Sequence, residues 1–184
     1  MGWKDVGFMG SEYYETPNID LLAAQGMVFS QGYAAASNCA PSRASITTGK
    51  WTTRHQIYTV SNSDRGNTKD RKLIPIRNTT VLDQRFTTLA QKLKAHGYVN
   101  CHSGKWHLSS DPLDYGFDVN IAGGEQGAPG SYYPPYGKGK VGLEGGKSEY
   151  LTDLIMEKTL LFLDEVNKPF FLHYTPYAVH TPIE

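Results

Sequence analysis

Five residues of this 184-residue chain have the types and spacing that chemistry on an anionic group could use. They lie in three separate segments: Cys39 and Arg43, then Lys105 and His107, then His180. A residue at the start of a helix lies beside unpaired backbone N–H groups and the positive end of the helix dipole, which together favour a bound anion. Arg43 could direct a bidentate guanidinium at an oxyanion. Taken alone, a single cysteine beside an arginine is more often an ordinary buried side chain.

Helical and strand-like segments alternate around these residues. This alternation predicts an α/β fold with a mainly parallel sheet flanked by helices. The predicted helices are residues 19–25, 41–48, 87–96 and 149–167, the predicted strands are 27–33, 98–102 and 169–175, and the predicted loops are 52–78 and 123–147. Ligands of open α/β sheets bind beyond the carboxyl ends of the strands, so the three reactive segments are expected to converge at one edge.

The first segment carries a specific motif. Residues 39–43 read C-A-P-S-R and residues 48–50 read T-G-K. This pattern resembles the type I sulfatase signature, C-x-P-S-R followed by T-G-[R/K]. In that family a maturation enzyme oxidises the cysteine to formylglycine, whose hydrated aldehyde attacks sulfur and then releases sulfate. The resemblance implies that Cys39 is the nucleophile and one calcium ligand, and that Arg43 positions it.

A second block reads G-K-W-H-L at residues 104–108 and is similar to the family's G-K-W-H-L-G. The resemblance implies that Lys105 contacts the sulfate and that His107 contacts the sulfate or the formylglycine. Clustered cationic donors of this kind stabilise charge that develops on sulfuryl oxygens. Ser109 stands where the family has glycine, and we expect this difference to affect the turn more than the chemistry.

A third block combines P-F-F-L at residues 169–172 with V-H-T-P at residues 179–182. The family histidine matched by His180 contacts the ester oxygen, so the resemblance implies that His180 assists the leaving alcohol. Residues 169–175 are predicted to form a buried strand, and His173 within it is interpreted as a packed core histidine. His55, His96 and His102 are likewise interpreted as structural or surface residues.

The resemblance covers nearly the whole chain, but the chain covers only part of the family. Residues 1–11 resemble the segment that follows the family's paired calcium-binding aspartates, and a later Asp-Asn pair would lie beyond residue 184. Calcium takes six to eight oxygen ligands, so most of them are expected to lie outside this chain. Residues 1–184 are therefore interpreted as a partial catalytic domain with the alkaline phosphatase-like sulfatase fold. The resemblance also implies a periplasmic or secreted protein.

Composition limits the partners. The formal net charge is zero, so no global field draws nucleic acid or anionic lipid to the chain, and no apolar run is long enough to span a membrane. The resemblance implies a sulfated carbohydrate or another sulfate ester as substrate, and the formylglycine-generating enzyme as a partner. The loop 123–147 carries Tyr132, Tyr133, Pro135 and Tyr136, which could stack on a sugar or could belong to a solvated loop.

Two other functions remain open from the sequence. The chain could be a non-catalytic module that binds sulfate or sulfated glycan through Arg43, Lys105, His107 and His180. It could also be a phosphatase or phosphodiesterase, because the alkaline phosphatase superfamily shares this fold plan. Those enzymes use serine or threonine as the nucleophile, whereas the corresponding position here is Cys39.

Overall fold

A computed structural model describes residues 2–137 and 141–184, which divide into two compact units, 1–34 and 35–184. The helices are α1 (Pro17–Gln25), α2 (Cys39–Thr48), α3 (Thr52–His55), α4 (Leu89–Lys94) and α5 (Leu151–Glu165). The strands are β1 (Val99–Gly104), β2 (Val119–Ile121) and β3 (Phe170–Thr175). Short 3₁₀ helices occupy Gly7–Met9, Thr68–Asp70 and Pro112–Tyr115. No helix among the described residues is both long and apolar enough to span a bilayer.

The first unit is built on α1 and a small polar network. The side chain of Asp20 accepts hydrogen bonds from the backbone N–H of Phe8 at 2.9 Å and from the hydroxyl of Thr16 at 3.0 Å. The helix begins at Pro17, where a proline has no N–H to lose, and ends before Gly26, as predicted. The prediction of a strand at residues 27–33 is wrong. That segment pairs with no strand among the described residues, and an apolar run without a partner strand cannot form a hydrogen-bonded ladder.

The second unit contains a parallel three-stranded sheet in the order β2-β1-β3. Central β1 is buried along nearly its whole length because it has a neighbour on each side. The sequence predicted β1 and β3 within two residues of their observed ends. It also predicted that β3 is buried, which is wrong: β3 is half-buried and begins at the exposed Phe170, since it pairs only with β1 in the described residues. The sequence missed β2, which is only three residues long.

Helices cover both faces of this sheet. Cys101 of β1 packs in a core with Leu151, Leu154 and Ile155 of α5, and Ser103 Oγ lies 2.7 Å from Thr159 Oγ1 on the same helix. The alternate residues of β1 face the other way, towards a second core that holds residues from α2 and α4. The predicted α/β architecture, a parallel sheet flanked by helices, is therefore confirmed.

Candidate active site

Helix α2 presents Cys39 at its amino-terminal end. Asn38 is extended, Cys39 is the first helical residue, and the helical hydrogen bonds begin with the N–H of Ser42 donating to Asn38. The N–H groups of Cys39 and Ala40 therefore have no partner within the helix. Cys39 is a half-buried free thiol. The helix is fixed behind it by Ala44, which is fully buried. The geometry matches the predicted anion-binding helix end.

Gly104 turns the chain from β1 towards Lys105. Its φ is +104°, and a Cβ at this position would lie only 2.6 Å from the carbonyl carbon of Thr175. The backbone N–H of Lys105 donates to the Thr175 carbonyl at 2.7 Å, and the Thr175 hydroxyl donates to the Lys105 carbonyl at 2.9 Å. The carboxyl ends of β1 and β3 are thereby joined, and Lys105 is held in a buried position with 3 % of its surface exposed.

Arg43 connects helix α2 to this strand end. Its Nη1 donates a hydrogen bond to the Lys105 carbonyl, while its Nε is buried with no hydrogen-bond partner among the described residues. Burial lowers the pKa of Arg43, whereas Cys39 and Tyr177 act in the opposite direction. Burial also lowers the pKa of Lys105; Cys39 raises it and Arg43 lowers it further. These mutual effects place the Arg43 and Lys105 cations close to Cys39.

Trp106 and Ser109 anchor the segment that carries Lys105 and His107. The Trp106 indole is buried, and its Nε1–H donates to Ser109 Oγ at 2.7 Å. Ser109 Oγ in turn donates to the Asp111 carbonyl at 3.1 Å. The serine that replaces the family glycine therefore stabilises the turn, in agreement with the expectation that it affects the turn.

His107 lies half-buried beside these cations in an uncommon backbone conformation, with φ at +63°. Its backbone N–H donates to the Gly124 carbonyl at 2.8 Å. Burial, and after it repulsion from Lys105, Arg43 and His180 in that order, together lower the pKa of its imidazole to about 4. The ring is consequently neutral near pH 7.

His180 lies in the turn after β3 and is exposed. Its backbone N–H donates to the Tyr177 carbonyl at 2.9 Å, and its carbonyl accepts a hydrogen bond from the Tyr132 hydroxyl at 2.9 Å. Its effect on the pKa of His107 shows that the two imidazoles are neighbours. Because the ring is exposed beside the cations, it can reach the part of a ligand that extends towards solvent.

The structure thus brings all five sequence-predicted residues into one cluster, whereas their catalytic roles stay predictions. Lys105, His107 and His180 follow the carboxyl ends of β1 and β3, as expected for an open parallel sheet. Cys39 reaches the cluster differently. No strand precedes it in the described residues, and α2 carries it there instead. Arg54 on α3 is exposed, and its side chain makes no hydrogen bond or ion pair within the described residues.

A pair of histidines, fully buried His102 and half-buried His173, lies beneath the cluster, and sequence reasoning did not foresee it. His102 and His173 occupy paired positions on β1 and β3, and their Nδ1 atoms are 3.2 Å apart. His102 Nε2 lies 3.1 Å from the Gly104 carbonyl, which can only accept. Nε2 of His102 therefore carries its proton, and His173 Nδ1–H donates to His102 Nδ1. Only the strand register could have revealed this pair. The structural interpretations of His102 and His173 agree with their burial.

The described residues do not suit a calcium ion by themselves. No group of three or more His, Cys, Asp or Glu side chains among residues 2–137 and 141–184 is arranged to hold a metal. Arg43 and Lys105 are close enough to Cys39 for it to affect the pKa of each cation. Calcium requires a shell of oxygen ligands, and these cations would repel it. They suit an anion instead.

An open cleft of about 620 Å³ adjoins the loop that contacts His107. Its lining includes Ser110, Gly123, Gly124, Glu125, Gln126 and Val141. The predicted stacking platform in the same loop is wrong for Tyr132 and Tyr136, since their rings are buried in the core with α5. Tyr133 and Pro135 remain exposed. Residues 138–140 of the predicted loop lie outside the described residues.

The whole chain, residues 1–184, matches the family model described as Sulfatase. It is also similar to N-acetylgalactosamine-6-sulfatase of Canis lupus familiaris, with 31 % identity over 211 residues covering 100 % of this chain. The chain therefore belongs to the sulfatase family. It spans 38 % of the length of that relative.

Solved structures agree with this assignment. The crystal structure of Ps i-CgsB in complex with k-i-k-neocarrahexaose has a TM-score of 0.74 and 28 % identity, covering 100 % of this chain and 44 % of its own. A second structure, titled as a complex with its substrate D-glucosamine-2-N,6-O-disulfate, has a TM-score of 0.70 and 28 % identity. The match covers 95 % of this chain and 31 % of the chain in that structure. The fold of this chain is accordingly the sulfatase fold.

Proposed function

We propose that this protein, at its full natural length, is a sulfuric ester hydrolase whose nucleophile is made from Cys39. The observation that carries the proposal is the convergence of the Cys39 helix end with the buried cations of Arg43 and Lys105. A sulfate ester brings a compact negative group, and its negative charge is shared among several oxygens in the transition state. Preorganised cationic donors in a site with little water stabilise that charge far more than water does.

Each residue then has a distinct task. Formylglycine at position 39 would supply a hydrated aldehyde as the attacking group. Arg43 and Lys105 hold the sulfuryl oxygens, and the unpartnered Arg43 Nε is available as a further donor to them. His107 is neutral near pH 7, so it can hydrogen-bond to the sulfate without adding another charge. His180, exposed at the rim, gives a proton to the departing alkoxide.

A sulfated carbohydrate is the substrate class that we propose. The cleft beside Gly124 adjoins the His107 loop and could take the sugar that carries the sulfate. Its exposed Glu125 carboxylate could accept hydrogen bonds from sugar hydroxyl groups. The named relative and the solved structure with a disulfated glucosamine both concern sulfated amino sugars, which supports this substrate class.

Three properties of the family complete the proposal. A maturation enzyme converts Cys39 to formylglycine, calcium is required for turnover, and the protein is periplasmic or secreted. The described residues offer the thiol at a helix end but no calcium site, so no catalytic step is assigned to the metal here. Chelation should stop turnover and added Ca²⁺ should restore it. Turnover that resists a chelator would contradict the calcium requirement.

The first test uses the protein at full natural length with a Cys39→Ala substitution. We expect sulfate release from aryl and sugar sulfates to fall by a factor of at least about 10³, because the nucleophile is lost. Cys101→Ala is the matched control: Cys101 is a buried core thiol, and its loss should leave turnover in place. Peptide mapping of the wild-type protein should find the aldehyde at residue 39.

The outcomes also separate the other candidate functions. Wild-type turnover in folded Cys39→Ala would contradict the proposed nucleophile. Phosphodiester cleavage faster than sulfate ester cleavage would favour a phosphodiesterase. Sulfated-glycan binding without turnover, and unaffected by a chelator, would favour a binding module.

A further inference from the structure

The His107 imidazole has no hydrogen bond that fixes its orientation. Its Nδ1 is buried and lacks a hydrogen-bond partner within residues 2–137 and 141–184. The backbone is fixed, since the His107 N–H donates to Gly124 and holds φ at +63°. This conformation is uncommon for a residue with a side chain. Packing must therefore set the direction of the ring.

Gly127 provides that packing. A Cβ built on Gly127 would lie 2.6 Å from Cε1, 3.0 Å from Nε2 and 3.1 Å from Nδ1 of the His107 ring. Real Cβ atoms essentially never approach another heavy atom to less than 3.0 Å. Gly127 has no positive φ, so its own backbone does not demand glycine. A side chain at this position therefore requires the His107 ring to move.

We propose that Gly127 is a positioning residue, whose bare α-carbon seats the His107 imidazole against the loop at residues 123–127. The ring is thereby held beside Lys105, Arg43 and His180, whose positive charges lower its pKa. This inference rests on the proposed sulfatase function for its catalytic consequence, but its geometric part does not. A methyl group at position 127 would push the ring out of its seat.

The test compares Gly127→Ala with Gly146→Ala in the protein at full natural length. Gly146 belongs to the same predicted loop, has no positive φ, and its Cβ would meet nothing closer than Glu149 Oε2 at 3.9 Å. We expect Gly127→Ala to lower kcat on an aryl sulfate roughly 10- to 100-fold, since a displacement of about 1 Å has effects of this size. Tm should change by no more than about 3 °C in either variant, and Gly146→Ala should keep its kcat.

A double-mutant cycle with His107→Ala separates positioning from a general loop defect. If Gly127 acts through the ring, Gly127→Ala should have almost no further effect on kcat once the ring is absent. An activated aryl sulfate, whose good leaving group raises turnover, is the substrate for this cycle. Additive losses would overturn the proposal, and so would an unchanged kcat in Gly127→Ala.

A crystal structure of Gly127→Ala keeps this inference distinct from the proposed function. A His107 ring displaced by about 1 Å supports the seating role even if the wild-type protein cleaves no sulfate ester, in which case the proposed function alone fails. An undisplaced ring overturns the seating role, whether or not the wild-type protein is a sulfatase.

Discussion

Arg43 differs from the other cations of the site because it also serves the structure. One nitrogen of its guanidinium donates to the Lys105 carbonyl, and Nε remains available to a ligand. A guanidinium can do both because its donors point in fixed, divergent directions. A lysine ammonium carries its three donors on a single nitrogen and does not reproduce this planar, divergent arrangement, with one donor for the Lys105 carbonyl and another for the proposed anion. The residue type, and not only its charge, is therefore needed.

We expect Arg43→Lys to lower kcat/KM for a sulfate ester by about 10²-fold, although the positive charge is retained. The lost donors include one to the Lys105 carbonyl, so Lys105 is also held less firmly. Steady-state kinetics on an aryl sulfate measures this effect. Arg54→Lys is the matched control, because Arg54 is exposed and its side chain makes no hydrogen bond or ion pair in the described residues. Equal kinetics in Arg43→Lys and the wild type would contradict the bridging role.

Individual site residues could be predicted from the sequence, but the neighbouring residues that hold them in place could not. The motif around Cys39 and the block around Lys105 and His107 name reactive residues directly. The His102–His173 pair depends on the register of β1 with β3, which places residues 71 positions apart beside each other. The seat of His107 on Gly127 depends on the path of an irregular loop. Neither follows from local pattern, because both arise from long-range packing.

At the scale of elements, the site depends on how two parallel strands end. Gly104 closes β1 with φ at +104°, and its α-carbon lies against the Thr175 backbone at the end of β3. The backbone N–H of Lys105 then donates to the carbonyl of the same threonine, and the Lys105 carbonyl accepts a hydrogen bond from its hydroxyl. The glycine of the G-K-W-H-L block is thus required by the approach of two backbones, whereas the lysine and histidine have only proposed roles in the chemistry.

Gly104→Ala should therefore destabilise the fold more than Gly97→Ala does. Both glycines have positive φ, +104° and +84°, but a Cβ on Gly97 would meet nothing within 4 Å. Gly97→Ala should cost about 1–2 kcal/mol of unfolding free energy for the backbone conformation alone. Gly104→Ala adds a backbone clash and should cost more than about 3 kcal/mol. Urea unfolding monitored by circular dichroism measures the difference, and equal losses would show that the contact with Thr175 is unimportant.

Four of the five helices and two of the three strands were predictable because their signals are local, whereas α3 (Thr52–His55) lies within the predicted loop 52–78 and was missed. Thr88 forms a capping box with Gln91 at the start of α4, and Gly49 ends α2 in the left-handed conformation. The segment 27–33 has an equally apolar composition but is irregular, because strand formation depends on a partner that composition does not reveal. The tyrosine-rich loop was misjudged for a related reason. Aromatic residues in a loop can face the core, as Tyr132 and Tyr136 do.

At the scale of the whole molecule, the proposed anion site brings positive charges together, and they repel one another in the absence of a bound anion. Several positive groups are buried together, so nearby histidines can be accommodated only in the neutral form. Burial, and after it repulsion from His173 and Arg43, lowers the pKa of His102 to about 3, although the hydrogen bond to Gly104 acts in the opposite direction. Burial, and after it repulsion from Arg43, lowers the pKa of His173 to about 4. His107 is lowered to about 4 for the same reasons. The neutral pair of His102 and His173 also holds the Gly104 carbonyl, which directs the chain towards Lys105.

This conflict predicts how stability depends on pH. In the unfolded chain these histidines bind protons near pH 6.5, whereas in the folded protein they stay neutral down to about pH 4. The unfolded state therefore holds more protons between these values, so the free energy of unfolding is highest above about pH 6.5 and falls as the pH is lowered. Each histidine contributes a slope of up to about 1.4 kcal/mol per pH unit.

Urea unfolding at pH 7, 6 and 5 should show the decline before most carboxylates titrate. His173→Asn should make the decline shallower, because one histidine with a lowered pKa is gone. Constant stability over this range would mean that the histidines beneath the proposed sulfate site are charged in the folded protein, and the neutral hydrogen-bonded pair would then be wrong.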